Sequence, residues 1–243
     1  SEIKEKQSNM PLNNFFNNQF LYLGGLTVNN ALIPKEGSNH LSLDYDDLGN
    51  VFTFYGHSIS DIFQLEITTK SFNDINLADN KNSDLQNSYL VKNNFYYRFG
   101  GKLAIFSPEK GNNFWTSLRT SLGINEGMQN QGYVFAELIN TLSLNNSLYL
   151  NLSPKYFFSG SESFGGLGVS TQIKILDNLQ IIPEINTSFK NDPDFNSSLA
   201  LRYIYKPQKS IDFYYSNAVG IQDIGQLLEA QEHRFGIKLN FNY

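Results

Sequence analysis

Residues 232–243 read Glu232-His233-Arg234-Phe235-Gly236-Ile237-Lys238-Leu239-Asn240-Phe241-Asn242-Tyr243. Successive side chains of an extended strand point to opposite faces, so Phe235, Ile237, Leu239, Phe241 and Tyr243 share one face. Arg234, Gly236, Lys238, Asn240 and Asn242 share the other. The apolar face keeps its phase to an aromatic last residue, where chain ends more often fray in polar residues. Hydrocarbon on one side of a wall and a wet interior on the other demand this pattern. The stretch therefore predicts a strand in the wall of an all-β transmembrane barrel.

The sequence upstream repeats the theme. Strands are expected over 95–106, 114–124, 132–144, 147–157, 165–176, 179–189, 197–206 and 209–216, each near the ~9–11 residues that a tilted strand needs to cross a bilayer. Asn145-Asn146, Asp177-Asn178 and Pro207-Gln208 read as tight turns, and 125–131, 159–164, 190–196 and 217–231 as longer loops. Short and long connections alternate, as in an up-and-down antiparallel meander and unlike the Greek-key crossings of a β-sandwich. The first part of the chain is less regular. Strands are expected at 51–55 and 62–69, separated by Gly56-His57-Ser58, with weaker ones at 19–28 and 41–45. Asp46-Asp47-Leu48-Gly49-Asn50 reads as a turn and 71–94 as a long polar loop. Residues 1–18 read as a flexible periplasmic N-terminal segment, able to tuck into the barrel end, and 19–243 as the barrel. The polar start, residues 1–6, reads as a processed N-terminus. With both chain ends on one side the strand number is even, and about 12 strands are expected, with 14 as the alternative.

With Ile237, Leu239, Phe241 and terminal Tyr243 at alternate positions, residues 232–243 resemble the C-terminal strand of bacterial outer-membrane β-barrel proteins. The resemblance implies an outer-membrane location and a lipid bilayer around the wall. It also implies that the barrel-assembly machinery reads this strand as its signal.

Composition agrees with a wall that is apolar outside and polar inside. Charged residues make up 17% of the chain against roughly 25% in ordinary soluble domains, and aromatics reach 14%. Mean hydropathy is nevertheless −0.34. No run of about 18 apolar residues is present, which excludes a membrane-spanning helix. The absence of cysteine removes disulfides, thiolate-zinc sites and cysteine catalysis together. A net charge of −5 without a basic run argues against nucleic acid as a partner. No metal and no cofactor are expected, for want of spaced ligand pairs or a phosphate-binding glycine motif followed by a helix.

Phasing each strand by its apolar residues assigns the two faces. Tyr205, Phe241 and Tyr243 are expected in an aromatic girdle toward the short turns, Tyr156 and Phe189 toward the long loops, and Phe213 and Tyr215 on the same outward face. Pro154 and Pro183 fall inside strands, where each loses a ladder hydrogen bond, so bulges or strand ends are expected there. Asn140 falls outward, which points to a bulge or a change of phase. Inward fall Arg98, Lys102, Arg119, Lys155, Lys174, Arg202, Lys206, Arg234 and Lys238, with the acids Glu66, Glu137, Glu184 and Asp212. Other acids, Asp44, Asp46, Asp47, Asp192 and Asp194 among them, are read as belonging to loops. A wet bore with surplus positive charge would concentrate anions. The expected function is a porin-like channel for passive diffusion of small polar or anionic solutes. The alternative is a non-conducting barrel, its inward charges paired into a plug, that binds a surface partner through its loops. Residues 221–230 have helix-like apolar spacing and read as a short helix capping the outer rim, with an inward constriction as the alternative.

Catalysis would need a nucleophile, a base and an orienting group at one wall site. His57-Ser58 beside Ser60 and Asp61 is the one local cluster of that kind, and a barrel lipid hydrolase is the enzymatic alternative. No catalytic residue is expected. A barrel stays closed in detergent until heated, so boiled and unboiled samples should migrate differently in detergent gel electrophoresis. Identical migration would remove the barrel.

Overall fold

The computed structural model describes residues 23–71, 95–107, 113–125, 132–160, 162–206 and 208–243. Twelve antiparallel strands run in chain order: β1 (Asn39–Asp46), β2 (Val51–Ser60), β3 (Phe63–Ser71), β4 (Phe95–Phe106), β5 (Phe114–Asn125), β6 (Gly132–Asn145), β7 (Leu148–Ser159), β8 (Ser163–Leu176), β9 (Leu179–Ser188), β10 (Phe195–Lys206), β11 (Lys209–Ala218) and β12 (Glu229–Asn242). Each pairs with its sequence neighbours, and β12 pairs back with β1 to close the barrel. That closure runs from His40↔Asn242 to Asp46↔Gly236. Beyond it, the Asn39 and Tyr243 backbones exchange hydrogen bonds of 2.6 and 3.0 Å. The quoted C-terminal stretch is thus the closing strand.

Of the two weakest expected strands, 41–45 is real and lengthens into β1. The strand expected at 19–28 is absent over its described part, residues 23–28. Residues 23–34 instead lie inside the barrel, nearly all buried. Residues 1–18, the expected N-terminal segment, lie outside the described residues. Gly56-His57-Ser58 does not break a strand either: β2 runs through it to Ser60 and the turn comes at 61–62. Gly56 sits close under the Gln64 side chain, where a Cβ would come within 2.8 Å of its amide nitrogen.

The outer face is apolar. Leu43, Ile67, Phe99, Leu122, Leu152, Ile185, Leu201 and Ile237 are all exposed there, a continuous greasy band that a soluble protein would hide. Tyr156, Phe189, Tyr205, Phe213, Tyr215 and Tyr243 are exposed on the same face and Phe241 is half-buried beside them.

Neither proline makes a bulge. The β6–β7 register passes from Glu137↔Lys155 to Asn140↔Leu152 without a shift, leaving Leu138 opposite Pro154. Pro154 has no N–H to donate. The Asn140 side-chain amide donates to the Leu138 carbonyl at 3.3 Å and to the Leu152 carbonyl at 3.4 Å, and its oxygen accepts from the Thr116 hydroxyl at 3.0 Å. Asn140 thus keeps its outward phase and has a job there. At Pro183 the β8–β9 ladder likewise passes from Ser170↔Glu184 to Ile173↔Ile181 in unbroken register.

Two glycines are explained by the tyrosine across the ladder. Gly236 pairs with Tyr214 and Gly123 with Tyr133, and at either glycine a Cβ would meet the tyrosine ring at 2.1 Å. Each ring occupies the space of the missing side chain, which packs the ring and covers the glycine. Each ring also aims its hydroxyl inward, Tyr214 to Asp44 at 3.1 Å and Tyr133 to Asp223 at 2.7 Å. Gly236→Val should displace the Tyr214 ring and cost about 1–3 kcal/mol, the usual range for overpacking. Denaturant unfolding in detergent would read it. An unchanged midpoint would mean the ring moves freely.

Candidate functional site

Among the described residues, the interior is where the chain gathers its charged and polar groups. Two cross-strand rows of charge follow from the registers. In the first, Asp44, Lys238, Asp212 and Arg202 stand directly opposite one another across β1, β12, β11 and β10, alternating in sign. Arg202 closes its end with a bidentate pair to Asp212, 2.8 and 2.7 Å. In the second, Lys102, Arg119, Glu137 and Lys155 face one another across β4, β5, β6 and β7. Lys102 and Arg119 would repel, but Glu66 on β3 accepts from Arg119 Nε at 2.8 Å and from Arg98 Nη2 at 2.7 Å on a single carboxylate oxygen. Glu137 holds the other side of Arg119 at 3.2 Å.

Eleven of the thirteen expected inward groups are buried inside the barrel: Arg98, Lys102, Arg119, Lys155, Arg202, Arg234 and Lys238, with Glu66, Glu137, Glu184 and Asp212. Lys174 is half-buried at the short-turn rim, paired with Asp177 at 2.8 Å. Lys206 stands exposed, because a register irregularity between Ile204 and Lys206 reverses its phase. The positive surplus expected inside is not found among the described residues. Lys70, Arg98, Lys102, Arg119, Lys155, Arg202, Arg234 and Lys238 are buried, and so are Asp44, Asp46, Glu66, Glu137, Glu184, Asp194, Asp212 and Asp223. The largest single part of the difference comes from β1, the rest from Asp194 and Asp223 and from Lys174 and Lys206, which are not buried. Asp44 and Asp46, expected in a loop, alternate with Leu43 and Tyr45 on a strand that runs to Asp46, and so face inward.

Among the described residues, two chain segments cross this interior. The first is the β11–β12 connection, residues 219–228, which contains a short 3-10 helix, Asp223–Gln226. Of the two expected placements, a cap on the rim and an inward constriction, it takes the second, because the inner wall there is apolar: Tyr133, Phe135, Phe157 and Phe164 form one cluster with Val219, Ile224, Leu227, Leu228 and Ala230. The signal was present in Tyr133-Val134-Phe135 and Tyr156-Phe157-Phe158, where large apolar residues occupy both faces of a strand. Asp223 takes φ 51, a left-handed conformation that Asp tolerates better than most residues. Its carboxylate pairs with Arg98 Nε at 2.9 Å and accepts from the Tyr133 hydroxyl. Neighbouring Gln222 accepts from Arg119.

The second segment is residues 23–34. A tight turn, Gly25 N to Val28 O at 2.8 Å, presents its amides to Glu184. That carboxylate accepts from Thr27 N at 2.7 Å, Thr27 Oγ1 at 2.9 Å and Val28 N at 3.1 Å. Cations take the segment's carbonyls: Lys155 that of Thr27 at 2.8 Å, Lys102 that of Leu32 at 2.6 Å, and Arg202 that of Gly24 at 3.1 Å.

The hydrolase cluster does not assemble. His57 faces outward toward Asn39 and Ser58 faces inward on the same strand. Another pair, His40 Nε2 and Ser42 Oγ at 2.7 Å, does meet inside, but Ser42 also donates to Asn240. No carboxylate hydrogen-bonds to His40 among the described residues, so the orienting member is missing.

This is the architecture of an up-and-down transmembrane barrel, and solved structures place it more narrowly. The KdgM porin in complex with disordered oligogalacturonate superposes with a TM-score of 0.62 at 11% identity, over 85% of this chain and 99% of that one. An outer-membrane channel from Pseudomonas putida F1 gives 0.60 at 8% identity, over 88% and 98%. The NanC porin gives 0.56 at 9%, over 84% and 98%. No family model matches the chain, and no curated protein does. The chain has the fold of outer-membrane β-barrel porins.

Removing Glu66 leaves two buried guanidinium groups to share fewer anions. Glu66→Ala should destabilise the barrel by about 3–5 kcal/mol, the cost of breaking a buried ion pair from one side. Glu66→Gln, which keeps an acceptor oxygen, should cost less. Equal and small losses in denaturant unfolding would show the cluster to be solvated.

Proposed function

We propose that this chain is an outer-membrane channel through which small polar solutes, anions among them, diffuse. A membrane location follows from the apolar outer band, and assembly machinery that reads the closing strand, residues 232–243, is its expected partner. The observation that carries the reading is at mid-bore. Lys102 and Lys155 donate to neutral oxygens, those of Asn30, Leu32, Thr27, Asn186 and Gln226. A cation held by neutral acceptors can be handed to a passing anion more cheaply than one locked against a carboxylate. Most of the other buried charges are paired with one another, so they shape the bore more than they select. The porin and channel folds it resembles support this reading.

A second reading has the two inner segments in its favour: a barrel closed by its own chain that meets a partner through its outer loops. Planar-bilayer recording separates them. The channel should show discrete conductance steps and, in a salt gradient, a reversal potential on the anion side. Lys102→Glu with Lys155→Glu should move that potential toward cations. Silence of the wild type and of every variant with a loosened interior would favour the closed barrel.

A further inference from the structure

The two inner segments are held by different chemistry, and from this we infer that they have different roles: residues 219–228 are a fixed constriction, whereas residues 23–34 are a releasable, autoinhibitory plug.

The fixed part is glued by a dry core. Its Val219, Ile224, Leu227 and Leu228 are buried against four inward aromatic rings. Leaving would expose both surfaces to water and uncover apolar wall inside the bore, a large cost in apolar area. Segment 23–34 adheres in another way. Leu23, Val28, Ala31 and Leu32 are buried but belong to neither apolar cluster, and only Leu26 joins one. What holds the segment is mostly its backbone, with Thr27 Oγ1 donating to Glu184 and accepting from Asn186, and Asn29 Nδ2 donating to Glu137. Glu184 takes its amides, Thr141 Oγ1 accepts from Ala31 N at 2.8 Å, and Lys102, Lys155 and Arg202 take its carbonyls. Water or an oxygen-rich solute can replace each of these bonds in kind, so each holds the segment only by the difference between that bond and its replacement. The segment joins β1 through exposed residues 35–37, whose Glu36 and Gly37 amides are anchored to Asp61 Oδ1 and Ser58 O at 2.8 Å, so residues 23–34 can swing about that anchor at the short-turn rim without disturbing a strand. Once it is released, Lys102 faces the bore with its bonds to the Asn30 and Leu32 carbonyls freed, Lys155 keeps Asn186 and Gln226, and Arg202 keeps Asp212, so Lys102 and Lys155 are where a carboxylate-bearing solute would compete with the plug's carbonyls. That last step rests on the channel reading; release itself does not.

The chain has no cysteine, so single thiols report cleanly. Val28→Cys and Leu227→Cys place one in each segment, at side chains 1% and 0% exposed. A water-soluble maleimide should label residue 28 roughly tenfold or more faster than residue 227 in the folded, heat-modifiable barrel. Glu184→Ala, or Lys102→Met where that variant does not fold, should speed labelling at 28 by roughly a further tenfold and leave 227 unchanged. Equal protection of the two thiols, both reacting only after unfolding, overturns the proposal whatever the conductance. For the consequence, Val28→Cys with Gly168→Cys joins plug to wall, since a Cβ at 168 would lie 3.0 Å from Val28 Cγ2. Oxidation should silence the channel and reduction restore it. Full conductance in the oxidised state overturns the plug. Rapid labelling at 28 with silence in every variant leaves release standing and removes the channel instead.

Discussion

Inside hydrocarbon a backbone N–H or C=O has no water to turn to, so each must find a partner in the chain. A sheet satisfies this only by having no edge. Here the requirement falls on β12, which pairs with β11 on one side and with β1 on the other. Every other feature inherits from that closure. Alternation along each strand sends Leu, Ile and aromatic side chains out to lipid and gathers the charged ones in a small enclosed volume, where they must pair or find backbone to bind.

Enclosure explains why the interior resembles a protein core in some places and a wet channel in others. Arg98 and Arg119 are paired with Glu66, Glu137 and Asp223 within a few ångströms. Buried ion pairs of this sort contribute little net stability, yet removing one member is costly, so they act as fixed geometry. The apolar inner surface of β6, β7 and β8 demands a cover, and the β11–β12 connection supplies it. Residues 23–34 fill what remains by lending their peptide groups to wall side chains. The barrel wall, the constriction and the filling therefore form a hierarchy of decreasing commitment.

The barrel was legible from period-two alternation, because one-sided lipid exposure writes the same code into strand after strand. Strands from β4 onward stood out for that reason, and the burial of Arg98, Arg119, Arg202 and Lys238 follows from the same phasing. Where the code failed, a second influence was at work. Gly56 looked like a breaker because its role, room for Gln64, lies on another strand. Asp44 and Asp46 looked like loop residues because their run abuts a true turn at Gly49. Residues 23–28 alternate enough to pass for a strand, but their partners are side chains of distant wall residues, which no local window can display. The inward fold of 219–228 was one of two readings of its apolar spacing, and Phe135 and Phe157, greasy on the inner face, are what decide between them.

The patch at Pro154 has an implication for how such a wall can change over generations. A proline there is admissible only while position 140 carries a side chain able to donate a hydrogen to the carbonyl of Leu138. Replace the asparagine with an aliphatic residue and a bare carbonyl faces oil; replace the proline with an ordinary residue and the asparagine becomes a redundant polar guest on a greasy surface. The two positions lie on neighbouring strands and are bound into one unit of inheritance, tolerating loss together far better than loss of either alone.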